Sequence, residues 1–441
     1  MVVERTRNPL AAPAWPCLKI AAAPEARKHA STARTLRPVL WALVCVLLAS
    51  CASPRGLVML KAPPTVSWQD DGSALELTRA IDQSIAYYRK LPPETTFHYG
   101  SLVYTPDELI GSLELFRSDY LAAPDPETLE RRLAEHFHVF DSVREEGDNL
   151  FTGYYEPQLN ASETPTAELD TPLYALPSDI VKVQLSRFGS GLPQVTLMGR
   201  VQGGELVPYF TRKEIQANGA LQARAQPIAY VDPIELFFLQ IQGSGVLHFP
   251  DGRQVQVGYA ASNGQPYRSI GALLVRNDAM PLEQVSLQSI RTWLHDHPDQ
   301  QRQVLFSNPS YVFFQVRDEG PLGNLRVPLT PGRSLAADQR VIPAGGLAYV
   351  DTEVPVPGSQ TEQQSVQRFM LVQDTGGAIR GSGRADLFWG AGKDAEWIAG
   401  HQRSTGRLLL LVAKKQYLPP PPATVDAGTS GPAASAAASS R

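Results

Sequence analysis

Apolar residues fall at helical spacing three times between positions 73 and 140, and the pattern then shortens toward a period of two. In the first helical run Leu77, Ile81, Ile85 and Tyr88 share a face behind Ser73, with Glu76 three residues after the serine; this predicts an N-capped amphipathic helix. In the second, Thr105-Pro106-Asp107-Glu108 reads as a capping box with proline at the first helical position, followed by Leu109, Leu113 and Phe116. The third starts near Asp125-Pro126, groups Leu129, Leu133 and Phe137, and takes in His136 and His138. From about Leu150 the chain reads as short β segments broken by Gly, Pro and Asn: Phe151–Tyr155, Gln194–Met198, Leu206–Phe210, Val246–Phe249 and Gln254–Tyr259. Asp251-Gly252 lies between the last two and predicts a hairpin. One helical stretch, Val285–Trp293, interrupts the strands, which resume at Tyr311–Val316 and run to Leu408–Val412. The end, 417–441, is rich in Pro, Ala, Ser and Gly, cannot bury a core, and reads as a disordered tail.

The first fifty residues differ from the rest. Arg34 and Arg37 precede a compact apolar run, Val39–Leu48, followed by the small residues Ala49 and Ser50. A charged flank, a short apolar core and a small-residue exit predict a secretory signal peptide over 1–50 rather than a membrane-spanning helix. Leu48-Ala49-Ser50-Cys51 resembles the bacterial lipobox, which implies lipidation of Cys51 and a mature chain that begins there. Ala52 and Ser53 follow without an acidic residue, so the expected location is the periplasmic face of the outer membrane, with 51–62 as a tether.

Composition narrows the class. At 441 residues the chain has room for one very large domain or two ordinary ones. Hydrophobic residues at 43% and charged residues at 19% exclude a wholly disordered protein, and 37 Pro with 34 Gly favour turns and short strands. The cysteines are Cys17, Cys45 and Cys51, so no disulfide framework or cysteine zinc site lies beyond Cys51. Residues 1–50 carry seven basic and two acidic residues, leaving 33 against 42 and a net charge of −9. That balance argues against nucleic acid as a partner.

The standard catalytic signatures are missing: no P-loop, no Gly-x-Ser-x-Gly elbow, no His-Glu-x-x-His and no Rossmann fingerprint. What remains is carboxylate, amide and aromatic chemistry, the kind a carbohydrate site uses. Phe151-Thr152-Gly153-Tyr154-Tyr155-Glu156-Pro157 places adjacent tyrosines where alternation sends one to each side of a strand. Such rings serve equally as sugar platforms or as core and rim packing. Asp374 sits in a Thr-Gly-Gly turn whose N–H groups would keep it ionised, whereas Asp386, among Ala385, Leu387, Phe388 and Trp389, is expected to have a raised pKa. Carboxylates pushed apart in this way suit an acid with a supporting anion. A turn-capping Asp and a surface Asp fit the same residues.

Several blocks in order resemble one family, the membrane-bound lytic murein transglycosylases of type A: Phe151–Pro157, Gln242-Gly243-Ser244-Gly245, Tyr267-Arg268-Ser269-Ile270-Gly271, Ser286–Trp293, Asn308–Phe314 and Val327–Ser334. The last part is similar to the "3D" domain named for three aspartates, which fall here at Asp338, Asp374 and Asp386. The resemblance implies a mainly β fold with N-terminal helices: a double-psi β-barrel catalytic domain at 63–157 plus 307–416, with its 3D domain at about 326–412. It implies a second β-barrel domain inserted at 158–306, with a groove for the glycan strand between the two. It further implies Asp386 as acid/base, Asp374 and Asp338 as its support, and Thr152, Gly153, Tyr154, Tyr155, Gln242, Gly243, Ser244, Tyr267 and Arg268 as substrate-binding residues. The activity implied is cleavage between N-acetylmuramic acid and N-acetylglucosamine, with a 1,6-anhydro end and neither metal nor organic cofactor. A murein glycoside hydrolase with Glu156 or Asp374 as base, and a non-catalytic glycan-binding scaffold, are the other readings.

Overall fold

The computed structural model describes residues 56–62, 64, 66–143, 148–359 and 361–420; the signal-peptide run, Cys51 and most of the Pro/Ala-rich tail lie outside them. The stretch read as a tether is partly strand: Gly56–Met59 forms β1. Three helices then follow their caps. In α1 (Ala74–Tyr88) the Ser73 side chain accepts the Glu76 N–H. In α2 (Pro106–Ala122) both arms of the Thr105/Glu108 capping box are made. In α3 (Pro126–His136) Asp125 accepts the Thr128 N–H at 2.7 Å. His136 and His138 do not share a helix: His136 closes α3, its Nδ1 2.6 Å from Asp119, and His138 lies in β2 (Phe137–Val143). After β2 the chain enters β3 (Asn149–Glu156).

The next 150 or so residues form the insert, with strands β4 (Gln158–Asn160), β5 (Thr171–Tyr174), β6 (Val181–Gln184), β7 (Thr196–Gln202), β8 (Glu205–Pro208) and β9 (Pro227–Val231). Then come helix α4 (Pro233–Gln242), β10 (Ser244–His248), β11 (Gln254–Ser262), helix α5 (Leu287–Asp296) and β12 (Val312–Arg317). β10 and β11 pair antiparallel around the expected Asp251-Gly252 turn, where Gly252 takes φ 85°. The order β12-β11-β10-β4 makes one sheet and β9-β5 another. Single bridges, Ser162 with Tyr230 and Ala175 with Phe314, join their ends into a ring. Leu159, Leu173, Ala229, Leu247, Val257 and Phe314 form the core of this second barrel.

The insert holds more helix than the one expected stretch. Besides α5 it contains α4 and short helices at Arg212–Gln216, Ile270–Arg276 and Pro298–Phe306. α4 lacks a broad polar face because two cores cover it, Leu236 and Leu239 lying in the barrel core and Ile234, Phe237 and Phe238 in a helical core with Ile270, Leu274 and Leu294. A third sheet, β8-β7-β6, is inverted. Its inner face turns Arg200 onto the Phe210 ring at 4.2 Å, while Leu197, Val201 and Leu206 face water at 43, 64 and 42% exposure.

The chain then completes the main barrel with β13 (Ser334–Ala337), β14 (Leu347–Pro355), β15 (Gln363–Asp374), β16 (Arg384–Ala391), helix α6 (Lys393–His401) and β17 (Arg403–Ala413). The order is β1-β2-β17-β14-β15-β13-β16-β3, and β3 pairs again with β17, closing six strands on themselves. The pairs β13/β15 and β16/β3 are parallel and the others antiparallel. Tyr349, Phe369, Leu371 and Leu409 belong to one large core that the strands share with Trp68 and with Phe116 of α2. Arg333 is 1% exposed and ties the N-terminal segment down through Asp70 at 2.7 Å and the Ser73 carbonyl at 2.9 Å. Order continues past 417, with Leu418 packed on the core.

Candidate active site

The short strand β13 gathers the aspartates. Its Ala336 pairs with Asp386 of β16 on one side and, after a register shift, with Asp374 of β15 on the other. Asp338 follows just beyond the strand end. Its carboxylate takes two bonds from the Arg340 guanidinium, at 2.8 and 2.6 Å, and one from the Gly381 N–H at 2.8 Å, which pins the loop between β15 and β16. Those donors hold Asp338 well below the ordinary carboxylate range, at about 2.

Asp386 lies opposite Thr152 in the parallel β16/β3 register. The Thr152 hydroxyl donates to Asp386 Oδ1 at 2.5 Å, and Arg384 Nε donates to the same oxygen at 3.3 Å. Oδ2 has no hydrogen-bond partner among the described residues. Burial raises the pKa of Asp386, and Arg384 and Thr152 oppose that rise. Asp374 departs from expectation. Its Oδ1 does accept the N–H groups of Asn324 (2.8 Å) and Thr375 (2.9 Å). Burial outweighs these bonds and, with a smaller contribution from the charge of Asp386, pushes Asp374 up to about 6. The two carboxylates are therefore both raised rather than pushed apart.

Strand alternation divides the nominated residues. Thr152 and Tyr154 face the aspartates. The Tyr154 ring packs on Phe388 with centroids 5.1 Å apart, and its buried hydroxyl lies against Asp374 without an aligned bond. Gly153 and Tyr155 face the other way. A Cβ on Gly153 would come within 2.8 Å of the Ala399 Cα, so this glycine lets α6 close onto β3. Tyr155 is 4% exposed, with its hydroxyl 3.2 Å from Glu396. Arg291 of α5 meets that glutamate and also Glu235 of α4, joining insert to barrel. Gln242 accepts the Tyr155 N–H at 3.1 Å, and Gly243 ends α4 at φ 87°. A cavity of about 600 Å³ opens on this side, lined by Tyr155, Glu156, Asn160, Glu235, Arg291 and Glu396 among others, and none of the three aspartates borders it.

Ser244 opens β10, half-buried. Tyr267 is 47% exposed; partial burial raises its pKa, against the charge of Arg212 and, more weakly, of Arg384. Arg268 is exposed, and its backbone N–H is held by Asn308 at 3.1 Å. Sequence reasoning missed Arg384, whose signal is its place two residues before Asp386 on the same face of β16. It also missed Asn324 and the Arg291 node, whose partners are distant in sequence. Among the described residues no cluster of three or more His, Cys, Asp or Glu is suited to a metal ion.

Two family models match in tandem, the MltA specific insert domain over residues 150–315 and the 3D domain over 333–412. Membrane-bound lytic murein transglycosylase A of Escherichia coli K12 is 32% identical over 266 residues, and that of Vibrio cholerae is 30% identical over 269. These matches cover 59 and 60% of this chain and 65% of each relative's length. Among solved structures, the membrane-bound lytic murein transglycosylase from Agrobacterium tumefaciens superimposes with a TM-score of 0.68 at 30% identity, covering 82% of this chain and 99% of that one. E. coli MltA with bound chitohexaose gives 0.63 at 25% identity, over 81 and 95% of the two chains. With both signature domains in order around one barrel, and a solved relative matched from end to end, the chain belongs to the MltA family.

Proposed function

We propose that the chain is a peptidoglycan lytic transglycosylase with Asp386 as its acid/base, lying in a groove between barrel and insert. The observation that carries this reading is Asp386 itself, a carboxylate of raised pKa with Oδ1 engaged and Oδ2 without a partner among the described residues. The chitohexaose complex of E. coli MltA supports a glycan as the ligand. Protonated Asp386 donates to the oxygen joining N-acetylmuramic acid to N-acetylglucosamine, and the C1–O bond breaks with its electron pair on the leaving oxygen. The muramoyl O6 bonds to C1 and returns its proton to the carboxylate. A 1,6-anhydro end forms and no water is consumed. One carboxylate suffices because the nucleophile belongs to the substrate, and holding O6 near C1 supplies much of the acceleration.

In this reading Asp374 and Asp338 shape the loop and field around the acid, and Tyr154, Ser244, Tyr267 and Arg268 contact sugar. Asp386→Asn keeps the size of the side chain and removes the transferable proton. Release of anhydromuropeptides from murein should fall at least ~10²–10⁴-fold with the circular dichroism spectrum unchanged. Near-native release by the variant would remove Asp386 from the chemistry, and products carrying an added water would make the enzyme a hydrolase.

The anchor belongs to the same proposal: lipid on Cys51 holds the enzyme at the periplasmic face of the outer membrane. Among the described residues no helix is long and apolar enough to cross a membrane. Cys51→Ser should move the protein from the membrane fraction to the soluble one at unchanged specific activity. Retention of the variant in the membrane fraction would refute the lipid anchor.

A further inference from the structure

Arg384 spans three separate pieces of the barrel. Its Nε donates to Asp386 Oδ1 at 3.3 Å, one terminal nitrogen lies 3.4 Å from the Thr152 hydroxyl oxygen on β3, and the other donates to the Ala378 carbonyl at 3.2 Å in the loop after Asp374. A hydroxyl has one proton to give and two lone pairs to accept with. With its own proton pointing at Asp386 Oδ1, Thr152 keeps its lone pairs for Arg384. Oδ1 thus receives two donors, which disfavours a proton on that oxygen and leaves Oδ2 as the better place for the acid proton.

We propose that Arg384 is a positioning residue for the acid: it fixes Oδ1 through a direct bond and through Thr152, reserves Oδ2 for the travelling proton, and stabilises the carboxylate that must take back the O6 proton. This rests on the transglycosylase reading above. The titratable or charged groups that reach the pair are Tyr154 on β3, Asp374 at the end of β15 and, against Arg384, Tyr267 of the insert. Among the described residues Arg384 is the cation that acts on Asp386.

The sign follows. Without the guanidinium Asp386 holds its proton to higher pH, so the alkaline limb of the rate profile moves up, while loss of the Oδ1 clamp lowers the plateau. In Arg384→Gln the plateau for release of anhydromuropeptides from purified murein should drop, and the ratio of variant to native rates should climb roughly tenfold from the plateau to the alkaline limb. Arg384→Lys restores charge without the fork, so its limb should return toward the native pH while its plateau stays low. A uniform loss in Arg384→Gln with the limb unmoved and the melting temperature lowered would overturn the proposal and leave Arg384 as a bolt in the barrel. Should Arg384→Gln fail to fold, Arg384→Lys decides by its plateau: a native plateau at native limb position removes the fork. Asp386→Asn on the same murein separates the levels. If it keeps native release, the reading of the reaction falls; if it is inactive while Arg384→Gln keeps the native limb, only this inference does.

Discussion

Asp374 works against the fold that holds it. Its native pKa, about 6, lies above the range of an exposed carboxyl, because burial costs the charge more than two backbone N–H bonds return. The folded state therefore holds this proton more tightly than the unfolded chain. The group's contribution to stability is present below the unfolded value and is lost as pH rises through about 6. Asp374→Asn should stabilise the protein at pH 7.5, by about 1–3 kcal/mol, and the gain should fade as the pH is lowered toward 4 in thermal melts. A gain independent of pH would mean that charge burial is not its cause. The sequence made the Thr-Gly-Gly donors around Asp374 legible, but not Tyr154 and Asn324, which arrive from far along the chain and exclude water. Asp386 was more legible because its own neighbours, Ala385 and Leu387, are buried on the strand that carries it.

At the scale of elements, local chemistry was read well and context poorly. Ser73, Thr105 and Asp125 each satisfy N–H groups that a helix start leaves open, so α1, α2 and α3 begin where their caps predict. α4 escaped because two cores cover it, which narrows the polar stripe that periodicity detects to Glu235 and Gln242; Asp232-Pro233 was the cue that stayed visible. α6 begins from Gly392 at φ 97° with no side-chain cap, so nothing local announces it. Its place depends on Gly153, where the missing Cβ admits the helix. The period-two runs identified strands such as β10 and β11. They carried no information about partners, and the parallel pairing of β16 with β3, which sets Thr152 beside Asp386, joins residues more than two hundred positions apart.

Across the whole molecule, two closed barrels meet at a charged node rather than through apolar packing alone. Arg291 from the insert reaches Glu396 of the barrel, with Tyr155 between insert and α6. Neither closure was visible as periodicity: one depends on β3 pairing twice and the other on two single-residue bridges, and the family resemblance supplied both. The inverted sheet β6–β8 gives the protein a character in solution that its acidic net charge conceals. Side chains this exposed gain little from folding, so Val201→Lys and Leu206→Glu should each change unfolding stability by no more than about 0.5 kcal/mol. In concentrated sulfate, which penalises exposed apolar surface, the same changes should delay precipitation and shorten retention on a hydrophobic-interaction column. If retention is unaltered, other surfaces govern salting-out; if it shortens, a few strands set the practical solubility of the entire chain.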